Sequence, residues 1–295
     1  MKTLTTISEL RAEIAQHRLQ GQSIGLVPTM GYLHAGHASL IERAAAECDL
    51  VIATVFVNPL QFAATEDLSS YPRDAPGDSS TAATAGADLL FLPGLQEMYP
   101  LGREGVLTSV SVNELSAVME GESRPTHFAG MCTVVAKLFN IAGPCTAYFG
   151  KKDFQQLAIV QAMVRDLSFD VELVGCEIRR EPDGLAMSSR NVYLSAEQRA
   201  AAPVLAQALV AAARSLSRGE TSVDRLRATM MDVISTQAMG QVEYLEVVDP
   251  ITLRPLTQAD ARSRFFGAVR FGSVRLIDNI DMSELDLDSN AAISQ

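Results

Sequence analysis

Lysine and histidine are scarce in this chain of 295 residues, with four of each. Cysteine is equally sparse: Cys48, Cys132, Cys145 and Cys176 include no C-x-x-C pair, so neither a zinc site nor a disulfide framework is expected. No apolar run approaches a membrane span. The longest weak candidate, AAPVLAQALVAAARSL, is interrupted by Pro203, Gln207 and Arg214. The opening MKTLTTISEL lacks the apolar region and cleavage site of a signal peptide, so a cytoplasmic chain with free thiols is expected. Positive charge is also short. The net charge of -11 argues against a broad nucleic-acid or anionic-membrane surface, because phosphate needs clustered Lys and Arg. An anionic ligand must be met by a few local cations. There is no internal repeat and no low-complexity tract.

What the chain does have is apolar residues, 47% of the total, enough for a sizeable core. Strand-like runs at 23–27, 50–57, 87–93, 146–150 and 170–180 alternate with helical patterns. HASLIERAAAE and MCTVVAKLFNIA carry helical spacing. So does FQQLAIVQAMVRDL, with Leu157, Val160, Val164 and Leu167 in one stripe. This alternation predicts an α/β fold, a Rossmann-like open parallel sheet with helices on both sides. In such folds ligands bind beyond the carboxyl ends of the strands. After residue 180 the character changes. Ser195 to Gln198 form a capping-box pattern at the head of a long helix ending near Gly219. A second helix follows, then strands around 241–249 and 268–279. The expected division is a nucleotide- and substrate-binding domain over 1–180, a smaller α+β domain over 181–285 that closes over the site, and a disordered tail over 286–295. A polar segment over 63–80 reads as a mobile flap.

PTMGYLHAGH puts His34 and His37 three residues apart at the mouth of a helix. A metal site lacks a nearby third ligand. An ordinary pair of cap histidines remains open, as does a phosphate site. A helix N-terminus offers free N–H groups and positive potential, Gly36 permits close approach, and imidazoles can donate to developing charge. That third reading fits nucleotidyl transfer from ATP. Two of the four lysines, Lys151 and Lys152, sit in YFGKKDFQQL between a strand and a helix, after Gly150, which allows a tight turn. Lys152 can reach a phosphate, and Asp153 can cap the helix or meet ribose hydroxyls; a solvated loop with an Asp cap is the plain alternative. PDGLAMSSRN supplies Ser188, Ser189 and Arg190, either a phosphate-closing loop or a polar linker. Asn58 and Gln61 in FVNPLQF suit hydroxyls and a carboxylate, although Asn-Pro is also a turn signal. One of Gln155 and Gln156 can face the same cleft.

Together PTMGYLHAGH, FVNPLQF, YPRD, RPTHFAGMCTVVAKLF, FGKKDFQQL and DGLAMSSRNVYL resemble the pantothenate synthetases, the pantoate–β-alanine ligases, from about residue 3 to the LIDN at 276–279. His-x-Gly-His alone would indicate only the wider nucleotidylyltransferase superfamily. The resemblance implies ATP-dependent condensation of (R)-pantoate with β-alanine through a pantoyl adenylate, with Mg²⁺ accompanying ATP, and a homodimer. It implies that His34, His37, Lys152 and Arg190 act in catalysis. ATP contacts would come from Met30, Gly31, His34, Gly36, His37, Gly150, Lys151, Lys152, Asp153, Arg179, Met187, Ser188, Ser189 and Arg190. Gln61, Gln156, Asn58, Tyr71, Arg124 and His127 would serve pantoate and β-alanine. Two positions depart from the family pattern. Arg179 stands where a small aliphatic residue is usual, so its side chain must turn to solvent, and Met131 stands where Val is common. A different adenylyl- or cytidylyltransferase and a nucleotide-binding regulatory module are the rival readings. The acidic balance and short chain disfavour an aminoacyl-tRNA synthetase.

Overall fold

The computed structural model describes residues 1–63, 68–69 and 71–285. The chain divides into two compact units, Met1–Arg179 and Arg180–Gln295.

The first unit runs β1 (Lys2–Leu4), α1 (Ile7–Leu19), β2 (Ile24–Thr29), α2 (Ala35–Glu47), β3 (Leu50–Val55), α3 (Ala75–Thr84), β4 (Leu89–Phe91), the short α4 (Leu95–Met98) and α5 (Glu120–Ser123), α6 (His127–Ala142), β5 (Cys145–Gly150), α7 (Phe154–Asp166) and β6 (Val171–Cys176). Its six strands pair in parallel in the order β1-β4-β3-β2-β5-β6. Parallel strands covered on both faces read as near-continuous apolar runs. In β3, Leu50 and Ile52 enter the core with α1, α6 and α7. Val51, Ala53 and Val55 enter the opposite core with α2 and α3. The strand order reverses between β2 and β5, so the crevice at their carboxyl ends is where such a fold binds ligands.

Three local features depart from the sequence expectations. Helix α1 carries a legible capping box, in which the Thr6 side chain accepts from the Glu9 N–H and the Glu9 carboxylate accepts from the Thr6 N–H at 3.1 Å. Residues 75–80 of the expected flap belong to α3, which runs on to Thr84 and is begun by Asp74, whose side chain accepts from the Gly77 N–H at 3.1 Å, and by Pro76 in the first turn. Residues 64–67 and 70 of that flap lie outside the described residues. Leu167 does not join the buried stripe of α7; it is the C-cap and is exposed.

The second unit holds α8 (Ala196–Ala201), α9 (Val204–Ser217), α10 (Val223–Ser235), β7 (Gly240–Val248), β8 (Arg264–Phe271) and β9 (Val274–Asp281). The three strands are antiparallel in the order β7-β8-β9. Ser195 and Gln198 make the expected capping box. The expected long helix is two, parted at Ala202-Pro203, because proline has no N–H to donate and its ring crowds the preceding turn. The stretch Ala196–Ser217 is long and apolar enough to cross a membrane by length and composition alone. Its Leu205, Leu209, Ala212 and Leu216 instead enter the core of this unit with Phe265, Val269 and Leu276. Arg264 is fully buried, and its guanidinium donates to Asn279, Asp281 and Glu284. The expected tail over 286–295 lies outside the described residues.

Candidate active site

Three strand ends deliver the side chains. Beyond β2, residues 30–34 lead into α2, whose first turn is organised by histidines. His34 is the N-cap, and its Nδ1 accepts from the Gly36 N–H at 3.1 Å. His37 Nδ1 accepts in turn from the His34 N–H at 3.4 Å, giving the reciprocal geometry of a capping box with imidazoles in place of Ser and Glu. Both Nδ1 atoms are therefore acceptors, and each neutral ring carries its proton on Nε2. The ring centroids are 4.1 Å apart. Burial holds His34 down at about 4, aided by Lys152 and opposed by Asp153. Burial holds His37 at about 3, with His34 the next cause. At neutral pH the pair is two uncharged N–H donors at a helix N-terminus. The cap reading and the phosphate reading thus coexist: Nδ1 caps the helix and Nε2–H is left for a ligand.

Beyond β5 the backbone forms a single 3₁₀ turn, Lys151–Asp153, before α7. Gly150 has ordinary extended angles, and a Cβ there would meet nothing within 4 Å, so it makes no tight turn. The two lysines diverge. Lys151 Nζ pairs with Glu177 at 2.5 Å, whereas Lys152 lies 3.6 Å from Asp153 and acts electrostatically on both histidines. Asp153 occupies the N-cap position of α7 without making a side-chain cap bond, which removes the simple capping role.

Beyond β3 lies a second cluster. Asn58 is 1% exposed. Its Nδ2 donates to Gln61 Oε1 and to the Gly130 carbonyl, each at 3.0 Å, and its Oδ1 accepts from the Tyr99 hydroxyl at 2.8 Å. Its side chain is thus engaged inside the protein and fixes the Gln61 amide. That amide's Nε2 donates to Met30 Sδ at 3.0 Å, tying the β3 end to the histidine loop. His127 Nδ1 lies 2.9 Å from the Gln61 carbonyl, and Arg124 Nη1 lies 3.3 Å from His127 Nε2. A Cβ at Gly130 would sit 2.2 Å from the Leu60 carbonyl oxygen, so only glycine lets α6 approach this turn. Tyr71 is buried edge-on against Phe62. Of the adjacent glutamines, Gln155 is consumed: it donates to the carbonyls of Leu115 and Val118 and accepts from Glu120, leaving half-buried Gln156 as the cleft candidate.

In the second unit, Ser188 caps a 3₁₀ turn over Ser189–Tyr193 and its Oγ accepts from the Arg190 N–H at 3.3 Å. Met187 and Arg190 are half-buried and Ser189 is buried. The loop is anchored by Arg180, which grips Asp278 with both terminal nitrogens and donates to the Gly184 carbonyl. Arg179 belongs to the first unit and is exposed, as its polarity requires.

The family profile described as pantoate-beta-alanine ligase matches residues 2–281. Pantothenate synthetase of Sinorhizobium medicae is 48% identical over 280 residues, covering 95% of each chain. That of Chloroflexus aggregans is 50% identical over 280 residues, covering 95% of this chain and 99% of the other. The chain belongs to the pantoate–β-alanine ligase family. The crystal structure of the Thermus thermophilus pantothenate synthetase superposes with a TM-score of 0.90 at 48% identity, covering 96% of this chain and 99% of that one. The Francisella tularensis pantoate–β-alanine ligase, crystallised with a β-γ ATP and β-alanine, superposes with a TM-score of 0.77 at 31% identity, covering 96% and 98%. This ligase joins pantoate to β-alanine.

The structure brings His34, His37 and Lys152 together, and Asn58, Gln61, Arg124 and His127 into a second cluster. The sequence motifs did not name Tyr99, Arg180 or Asp278, and they named Gln155 only as an alternative to Gln156, although these residues hold the surrounding loops in place. Asp278 lies inside LIDN and Gln155 inside FGKKDFQQL, but neither motif disclosed its contacts.

Proposed function

We propose that the enzyme works in two steps. A pantoate carboxylate oxygen attacks the α-phosphorus of ATP, the Pα–O bond to pyrophosphate breaks, and pantoyl adenylate forms. The β-alanine amine then attacks the acyl carbon, the C–O bond to AMP breaks with AMP taking the electron pair, and the amine proton passes to solvent. The observation that carries this reading is the pair of neutral imidazoles at the α2 N-terminus beside Lys152. Two Nε2–H groups, the helix end and an ammonium suit an α-phosphate that gains charge as it is attacked, without a charged imidazole having to be desolvated. The Gln61 amide, set by Asn58, would take the pantoate hydroxyls and carboxylate with Gln156, and Arg124 and His127 would lie toward the carboxylates. Open space beside Gly150 suits ribose and adenine. Ser188, Ser189 and Arg190 are assigned to the triphosphate on sequence resemblance.

Among the described residues no group of three or more His, Cys, Asp or Glu is placed to hold a metal ion. In this reading Mg²⁺ enters as the counter-ion of its substrate, held by phosphate oxygens and water, and no step is assigned to it. A cytoplasmic homodimer fits this reading. Phosphorus NMR of the full reaction tests it: AMP and pyrophosphate should appear together, in equal amounts and only with pantoate present, whereas ADP and phosphate would refute the adenylate.

A further inference from the structure

One buried carboxylate has no part in the chemistry above. Asp78 lies in the first turn of α3 and is 2% exposed. Its Oδ1 accepts from the Leu33 N–H at 2.6 Å, and the Tyr32 N–H also acts on this carboxylate and favours its ionised form. The loop that wraps it is bent abnormally. Gly31 has φ +87° and Tyr32, which is not glycine, has φ +53°. The left-handed conformation costs Tyr32 about 1 kcal/mol that something must offset. The fit is close, since a Cβ at Gly31 would lie 2.9 Å from Asp78 Oδ2 and 2.9 Å from Val55 Cγ1. The same loop is pinned at its start, where Thr29 Oγ1 accepts from the Gly31 N–H and donates to the Thr54 carbonyl. It ends at His34, the cap of α2.

Stability alone does not explain an acid here. Burial raises the carboxyl's proton affinity in spite of the amide bonds, so ionised Asp78 is held at a cost. An apolar residue of similar size would fill the space without that cost but could not organise two amides. A carboxylate can hold the Leu33 amide and act on that of Tyr32 at once, and the directions of those amides set where the chain delivers His34 and, one turn on, His37.

We propose that Asp78 is the positioning residue of the histidine pair, clamping the 31–33 loop from α3 so that both Nε2–H groups meet the α-phosphate during adenylation. This rests on the two-step reading given above. The test is Asp78→Asn, which keeps size and shape but turns an NH₂ toward one of the amides. Both half-reactions are measured: pantoate-dependent exchange of pyrophosphate into ATP, and conversion of chemically prepared pantoyl adenylate plus β-alanine to pantothenate. The variant should lose roughly 10- to 100-fold in kcat of exchange, as expected for an ångström-scale misplacement. Its KM for pantoate should move by less than about threefold, and aminolysis should stay within about twofold of wild type. Equal losses in both half-reactions would make Asp78 a purely structural residue, and wild-type exchange would remove the role altogether. Absence of exchange in the wild type condemns the adenylate reading instead. Should the variant fail to fold, amide hydrogen exchange on the wild-type chain decides: Tyr32 and Leu33 must be protected, and exchange at free-loop rates overturns the clamp.

Discussion

Replacing His37 with alanine separates its capping bond from the donor role proposed for its imidazole. Its Nδ1 bond to the His34 amide is long, 3.4 Å, so losing it should cost about 0.5–1 kcal/mol at pH 8. That is a few degrees in Tm. Its Nε2–H, aimed at developing charge, should be worth far more to the rate: loss of one such donor lowers turnover by roughly 10²–10³-fold. The pH dependence gives an independent check. The folded protein holds His37 at about 3, below the ordinary value of 6.5. Above pH 6.5 both folded and unfolded states carry a neutral ring. As pH falls through 6.5 the unfolded state takes up a proton that the folded state refuses, so wild-type stability drops. Between pH 6.5 and 5 this amounts to at most about 2 kcal/mol for the residue. His37→Ala has no such loss, so its stability deficit at pH 8 should shrink or reverse at pH 5. Pyrophosphate exchange rates and urea melts at the two pH values measure both effects. A variant that keeps adenylation within a few fold of wild type, or whose deficit is the same at pH 8 and pH 5, refutes the neutral-donor assignment.

Lys152→Ala should reduce adenylation far more than Lys151→Ala, because Lys151 is occupied by Glu177; equal losses in kcat/KM would defeat the distinction, and Lys152→Arg should not rescue fully, since the planar fork is larger and differently hydrated. Tyr99→Phe removes the 2.8 Å bond to Asn58. It should cost roughly 1 kcal/mol in denaturant melts and raise KM for pantoate while leaving KM for ATP unchanged; a selective rise in the ATP value would misplace Gln61. Arg264→Leu strands the Asp281 and Glu284 carboxylates that the buried guanidinium holds. A loss of about 3–5 kcal/mol is expected, and an unchanged melt would show these carboxylates to be satisfied by water.

The parallel sheet was legible because strands covered on both faces are apolar nearly throughout, and the short, β-branched LVIATV, ended by Asn58-Pro59, reads as one. The histidine pair was legible because two of the chain's four histidines stand three apart, around Gly36, at a helix start. The supporting residues were not. Tyr99, Gln155 and Asp78 contact partners 41, 35–40 and 45 positions away in the chain, and no local periodicity encodes a bond of that range. Helix α3 was hidden for another reason: APGDSSTAAT is polar and small, so its helical face buries little beyond Asp78 and Ala82, and the apolar stripe that usually announces a helix is missing. The break at Pro203 was visible in the sequence, but the strong apolar period on both sides outweighed it.

The central claim is that this chain activates pantoate as an acyl adenylate before β-alanine takes part. Labelled pyrophosphate, Mg-ATP and pantoate incubated with the enzyme and no β-alanine test it most directly. Label should enter ATP with pantoate present and should not do so when β-alanine is supplied in its place. Exchange that strictly requires β-alanine, or no exchange at all from an enzyme that still makes pantothenate, would contradict the account.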